Sequence, residues 1–324
     1  MSAPFKLEGG KRLQGQQVIP PEMFHHIFGY LAIENESFLA DVQACSLVAK
    51  SWVPVCRSYL FKEVELGPHP LNPRSLDRSR RLAAILKDHP DIANLVRHIK
   101  FSSFAASDND LEEVDDDSLS VLFGMSQAQA LRLHMTYDFD NEEPVPYRSG
   151  VQAFGWRSLL DRYVAANQLT TISLDGIRDV PLLSILSSSR LEDLSIVYCH
   201  VSDMPASSLP SIVGKNPCFT VKNLKVEHTT NLTLPLIGLC SGLQTMNLNN
   251  ITFVEIDSET ELPFTFSFPN LTHLGIERVR GWDRQLTAEN KQPTFPAVTS
   301  VVIRSPNVDS SFPQFRTLRR LDLE

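Results

Sequence analysis

The sequence predicts an α/β solenoid of irregular repeats behind a small N-terminal helical motif. A short apolar phrase returns many times from about residue 95 onward, and the stretch before it has helical apolar spacing. Composition supports a folded chain throughout. Of 324 residues, 42% are hydrophobic and 21% charged, an ordinary globular balance that argues against wholesale disorder.

The phrase is an apolar residue, two others, an apolar residue, one other, and an apolar residue. Its copies are Val96-Ile99-Phe101, Leu169-Ile172-Leu174, Leu191-Leu194-Ile196, Val221-Leu224-Val226, Leu243-Met246-Leu248, Leu271-Leu274-Ile276, Val298-Val301-Ile303 and Leu318-Leu321-Leu323. Ala128, Leu131 and Leu133 form a weaker copy. From Leu169 the starts are separated by 22, 30, 22, 28, 27 and 20 residues, at or near the leucine-rich period. Each phrase supplies a short strand with apolar residues on one side, and one such unit cannot bury that side alone. Stacked neighbours make a continuous core. Between the strands lie helix-capable pieces, WRSLLDRYVAA (156–166), VPLLSILSSS and LPLIGLC. A doubly wound sheet is the alternative, but the spacing is too regular and no phosphate loop follows the first strand. Residues 95–324 therefore read as the solenoid, interrupted by an acidic loop over 105–118 in which SDNDLEEVDDD carries seven acids in eleven residues. Asp108, Asp110 and Glu112 alternate as in a calcium loop, but Glu113 stands where Gly is needed and Leu119 where Glu is needed. The loop reads as exposed and solvated.

Residues 1–18 are polar and rich in Gly and Gln, the composition of a disordered leader. A compact helical motif follows over 19–66. EMFHHIFGYL spaces Met23, Phe24, Ile27, Phe28 and Leu31 along a helix, and Phe38, Leu39, Val42, Cys45 and Val48 repeat that spacing. A third apolar stretch runs from Trp52 to Phe61, with Pro54 starting or kinking its helix. Over 67–94 a linker region contains an amphipathic helix (75–89), with Leu76, Leu82, Ile85 and Leu86 inward and Arg74, Arg78, Arg80 and Arg81 toward water.

The formal charge of −8 disfavours bulk attraction to nucleic acid or an anionic membrane. No apolar run fits a secretory signal or a membrane span. Five widely spaced cysteines without a C-x-x-C pair argue against a disulfide framework or a zinc site. Common catalytic signatures are missing: there is no G-x-S-x-G, H-E-x-x-H, G-x-x-x-x-G-K or G-x-G-x-x-G. His25 and His26 are adjacent on a helix and diverge by about 100°, a poor chelate. Cys199 falls where leucine-rich repeats place Asn or Cys, and reads as a structural turn residue.

The helical motif resembles an F-box. Ile19-Pro20-Pro21-Glu22 matches the family's opening, Ile27, Tyr30 and Leu31 match its first helix, and ACSLVAKSW places Leu47, Val48 and Trp52 in register. CSLVAKSWVP and the Phe-Pro lead-ins FPNLTHLGI and FPAVTSVVI look like the large fungal family of F-box proteins with leucine-rich repeats. Met23 stands where Leu is usual, and the loop between the first two helices is long. The resemblance implies a three-helix F-box followed by an irregular leucine-rich-repeat, ribonuclease-inhibitor-like α/β solenoid. It further implies a non-catalytic substrate-recognition subunit of a Skp-cullin-F-box ubiquitin ligase, cytoplasmic or nuclear, with a Skp-type adaptor, a cullin complex and an unknown protein substrate as partners. No cofactor or metal is expected.

Adaptor binding would be helix packing by Pro20, Ile27, Leu31, Leu39, Val42, Leu47 and Val48, with Trp52 either a contact or part of the motif's own core. Substrate would bind the concave strand face, through side chains that alternate with the core positions: Thr171, Ser173, Asp175, Asp193, Ser195, Asn223, Lys225, Glu227, Thr245, Asn247, His273, Glu277 and Arg304. Read along the chain, these types form no single-sign groove. The competing expectation is a plain repeat scaffold outside any ubiquitin ligase, in which the helical segment merely caps the solenoid. The two differ in whether that segment leaves an apolar patch exposed.

Overall fold

In the computed structural model the described residues are 20, 22–23, 26–28, 38–68, 75–103, 114–135, 144–147, 155–202, 219–232, 234–253, 268–280, 295–304 and 318–323. The leader, Leu31 and residues 104–113 of the acidic segment lie outside them. The chain divides into two compact units, Met1–Phe61 and Lys62–Glu324. The architecture is mixed α/β.

In the first unit, residues 22–23 and 26–28 are helical, followed by α1 (Phe38–Val48), a 3-10 turn (Lys50–Trp52) and α2 (Val53–Leu60). Pro54 sits in the first turn of α2, where its missing N–H costs no helical hydrogen bond. Phe28, Val42, Val55 and Cys56 form the core, with Phe38, Cys45, Trp52, Tyr59 and Leu60 packed against it. Phe28, Phe38 and Tyr59 meet edge to face with centroids 5.5–6.5 Å apart, the geometry aromatic quadrupoles favour.

The second unit is built on ten parallel strands: β1 (Glu63–Leu66), β2 (His98–Ser103), β3 (Ala130–Met135), β5 (Thr171–Asp175), β7 (Asp193–Val197), β8 (Asn223–Glu227), β9 (Thr245–Asn249), β10 (His273–Glu277), β11 (Ser300–Arg304) and β12 (Arg320–Leu323). Two short strands, β4 (Val145–Pro146) and β6 (Ile177–Arg178), pair separately. Strand order in the large sheet is chain order. It never reverses, whereas a doubly wound sheet contains a reversal at its switch point. Helices lie between strands: α3 (Asp77–Asp88), α4 (Pro90–Ala93), α5 (Asp116–Leu122), α6 (Trp156–Ala165), α7 (Leu182–Leu186) and α8 (Leu234–Gly238).

Every apolar phrase coincides with a strand, and the reason is local. The last two apolar residues of each phrase are two apart, so both point to one side of the strand. In register they make two continuous rows. One is Val64, Ile99, Leu131, Ile172, Leu194, Leu224, Met246, Leu274, Val301 and Leu321; the other runs from Leu66 and Phe101 to Ile303. Nearly all are buried; Leu321 on the last strand is 48% exposed.

The units repeat their backbone bonding as well as their side chains. The Arg97 carbonyl accepts from the amides of Gln129 and Ala130, and those of Gln129, Thr170, Glu192, Lys222, Gln244, Thr272 and Thr299 each accept two in the same way. After most strands one residue takes a left-handed backbone: Gly67, Gly176, Tyr198, His228, Asn250 and Arg278. A second, short parallel ladder of bridges follows that turn, joining Val180 to Val201, His200 to Thr230, Leu232 to Phe253 and Thr252 to Arg280.

Four features depart from the sequence reading. Glu63–Leu66 is the first strand of the sheet rather than the end of the helical motif. Phe61, Val64 and Leu66 carry the repeat phrase, a copy hidden by its position directly after a helix. The helix at 77–88 buries Leu82 and Leu86 but leaves Ile85 exposed, because Ile85 is next to Leu86 and adjacent helical positions diverge by about 100°. Asp115, Asp116 and Asp117 are the cap and first turn of α5 rather than loop. The Asp115 carboxylate accepts from the Ser118 amide at 2.8 Å, and negative charge there opposes the helix dipole.

Candidate functional site

Two surfaces collect the residues singled out in the sequence, one on each unit. On the first unit, α1 has two apolar faces. Phe38, Val42 and Cys45, at i, i+4 and i+7, turn toward the core. Ala40, Ala44, Leu47 and Val48, at i, i+4, i+7 and i+8, form a second stripe of which every member is exposed. Leu47 is 85% and Val48 70% exposed, and Leu39, Met23 and Ile27 are also exposed in this unit, Leu39 lying on a different side of α1 from Val48. Asp41, Gln43 and Ser46 fill other positions of the helix, so the second apolar stripe adds to the single stripe a surface helix ordinarily buries. Here one side is buried.

Of the residues assigned to adaptor packing, Pro20, Ile27, Leu39, Leu47 and Val48 are exposed. Val42 is not: at 0% exposure it is the centre of the unit's own core, because the four-residue step from Phe38 carries it to the inward stripe. Trp52 is half-buried and packs against that core. Leu31 lies outside the described residues. Sequence spacing alone could not separate the two stripes, since both satisfy the helical period.

On the second unit, the residues that alternate with the core rows form three further rows. The first is Glu63, His98, Ala130, Thr171, Asp193, Asn223, Thr245, His273, Ser300 and Arg320. The second contains Glu65, Lys100, Arg132, Ser173, Ser195, Lys225, Asn247, Gly275, Val302 and Asp322. The third runs Ser102, His134, Asp175, Val197, Glu227, Asn249, Glu277 and Arg304. All thirteen candidate substrate residues fall in these rows. Asn223, Lys225, Asn247, His273 and Arg304 are exposed and the other eight half-buried, so one face of the sheet carries them all.

Polar contacts link neighbouring strands along the rows, and one joins the second row to the third. His134 Nδ1 lies 2.8 Å from the Asp175 carboxylate, and this hydrogen bond raises the histidine above its usual range. Asn223 Nδ2 donates to Asp193 at 2.7 Å, Thr171 Oγ1 donates to the same carboxyl group at 3.3 Å, and Lys225 pairs with Glu227 at 3.0 Å. Both signs occur at the two ends, where Glu63 and Glu65 accompany Lys100 and Asp322 accompanies Arg320, while between them Asp175, Asp193, Glu227 and Glu277 stand with Lys225.

Beyond the third row, at the left-handed turns, the Tyr198 and His228 rings stack with centroids 4.5 Å apart and 11° between planes. Asn250 Nδ2 lies 2.8 Å from His228 Nδ1. Sequence reasoning missed this ladder. Its signal was present, since each member directly follows a strand phrase by two positions, but a bulky residue with positive φ is not foreseen from propensity.

Cys199 is buried, and its thiol donates to the Val197 carbonyl at 3.1 Å and approaches the Leu174 carbonyl at 3.8 Å. Burial pushes it up to about 12, so it stays a thiol at neutral pH. Thr229, at the equivalent place after the next strand, likewise bonds a backbone carbonyl, that of Glu227 at 2.8 Å. Among the described residues no group of three or more His, Cys, Asp or Glu is placed to hold a metal ion, and no helix is long and apolar enough to cross a membrane. Neither the models of known protein families nor the curated proteins yield a match to this chain.

Proposed function

We propose that the chain is the substrate-recognition subunit of a Skp-cullin-F-box type ubiquitin ligase, in which an F-box docks on a Skp-type adaptor and a leucine-rich-repeat solenoid holds a protein substrate. The observation that carries the reading is the second apolar stripe of α1. The first unit already has a core in Phe28, Val42, Val55 and Cys56, so Leu47 and Val48 are surplus to its own folding. Burying a Val or Leu side chain contributes about 1.5–3 kcal/mol. A helical partner that covers the stripe of Ala40, Ala44, Leu47 and Val48 gains two such contributions from Leu47 and Val48 alone.

The solenoid half of the reading rests on strand order equal to chain order and on identical bonding from coil to coil. A parallel stack of this kind buries its apolar rows between neighbours and leaves the alternate face for a ligand. In such an assembly the chain performs no bond-making itself. It raises the effective concentration of substrate at the ubiquitin-charged enzyme and fixes its orientation.

The test is co-purification of the full chain with a Skp-type adaptor, beside a Leu47→Asp variant. Leu47 is exposed, so the variant keeps its fold, verified by circular dichroism, while a desolvated unpaired charge at the interface abolishes capture. Stoichiometric capture by the wild type and loss in the variant support the reading. No capture by the folded wild type overturns it and leaves a repeat scaffold outside any ubiquitin ligase.

A further inference from the structure

The open sheet face between β5 and β10 has a period that constrains what it holds. Its third row reads Asp175, Val197, Glu227, Asn249 and Glu277 on successive neighbouring strands, so carboxylates stand on every second strand. Neighbouring strands are about 4.8 Å apart, which puts those carboxylates roughly 9.5 Å apart along a line crossing the strands. A polyproline-II segment rises about 3.1 Å per residue, so every third side chain recurs after roughly 9.3 Å. The two periods match.

The charge of the face is complementary to a cationic segment. The outward positions of β5, β7, β8, β9 and β10 carry Asp175, Asp193, Glu227 and Glu277 against a single ammonium, Lys225. His134 lies against Asp175 at 2.8 Å, Lys225 against Glu227 at 3.0 Å, and Arg278 against Glu277 at 4.0 Å. In each pair the base is exposed and the carboxylate half-buried, and each carboxylate has acceptor sites for a further donor.

A rigid aromatic surface borders the same row. Tyr198 directly follows Val197, its amide donates to the Glu227 carbonyl at 3.0 Å, and it is 47% exposed although its ring stacks on His228. Tyr198 holds φ 48, as His228 and Arg278 hold 48 and 49 at their turns, so its ring leaves the sheet in a direction fixed by the backbone. An exposed ring held in one orientation suits both the apolar ridge of a polyproline-II helix and the face of a guanidinium.

We propose that this face takes an extended, polyproline-II protein segment that crosses β5 to β10 and carries Arg or Lys at every third residue, with one cation seated by the Tyr198–His228 stack. The inference deepens the substrate-receptor reading and rests on it.

The probe is a fluorescein-labelled peptide of three Arg-Pro-Pro repeats, compared by fluorescence anisotropy with a peptide of the same composition whose arginines are consecutive. The spaced peptide is expected to bind the full chain about tenfold tighter than the clustered one. Glu227→Gln is expected to weaken it about tenfold, the loss of one charge-assisted hydrogen bond. Tyr198→Asn removes the ring while supplying a residue suited to the left-handed backbone, as Asn250 does at φ 48, and weakens the spaced peptide without unfolding the chain. Equal affinity for the two peptides, no binding of the spaced one, or indifference to both substitutions overturns the proposal. Adaptor capture by the same preparations separates the two ideas, because Glu227 and Tyr198 belong to the second unit and the adaptor stripe to the first. Capture retained without peptide discrimination sinks only the segment specificity; discrimination retained without capture sinks only the ligase reading.

Discussion

The two units use apolar residues in opposite ways. In the sheet unit, the inward rows from β2 to β11 are buried almost completely, because each strand's apolar side is covered by its neighbours in the stack. In the helical unit, a core of four fully buried residues coexists with Leu39, Leu47 and Val48 held in water. The first arrangement satisfies itself. The second leaves apolar side chains uncovered, so the same residue types are buried by their own unit in one case and exposed in the other.

The largest expected effect tests that contrast directly. Phe101→Ala empties a position buried at 0% and should cost about 3–5 kcal/mol in urea denaturation. Leu47→Ala on the helical stripe should change stability by no more than about 0.5 kcal/mol while still weakening adaptor capture. A large stability loss from Leu47→Ala would erase the distinction between the units.

A second substitution sharpens the account of the coils. Gly67 turns the chain after β1 at φ 98, and a Cβ there would meet the Ser102 carbonyl oxygen at 2.5 Å. Gly67→Ala should therefore cost about 1–3 kcal/mol through left-handed strain and that clash with backbone, which cannot swing away. Tyr198 and Arg278 turn at φ 48 and 49, inside the left-handed well that a side chain can enter, whereas Gly67 at φ 98 lies about 50° beyond them. A silent Gly67→Ala would mean that its turn is not under that constraint.

The smallest effect belongs to the open face. His134 is raised above its usual 6.5 chiefly by its hydrogen bond to Asp175, with burial and Lys100 opposing. A raised histidine contributes stability that is fully present below its unfolded value and is lost as pH rises through the folded one. Side-chain exposure of the pair keeps the effect modest. The difference in denaturation midpoint between wild type and His134→Gln should be largest below the usual 6.5 and diminish as pH rises above it through the raised folded value. A difference that grows with pH would contradict the pairing.

The repeat was legible in the sequence because its signal is local. An apolar residue at the third and fifth places after another fixes which side of a strand is buried, whatever the neighbours are. Hence Val96-Ile99-Phe101 and its successors each mark a strand, and the helix-capable pieces at 156–166, 180–189 and 234–240 each contain a helix. The copy at Phe61-Val64-Leu66 was hidden only because a helix runs directly into it. The thirteen alternate positions of the open face followed from the same parity rule.

What the sequence by itself determined, then, is the set of residues that face inward and outward on each element. Tertiary structure alone decided which of them lie side by side. Asp175, Glu227 and Glu277 are separated along the chain by two whole repeats or more, and only in-register pairing through β7 and β9 brings them into one evenly spaced row. Val42 and Val48 share a helix and a residue type, and only packing against Phe28, Val55 and Cys56 decides that the first is core and the second surface. The physical reason is the same in both cases. Periodicity is a property of one segment, whereas burial and electrostatic spacing are properties of contacts between segments, and those exist only once the chain has folded.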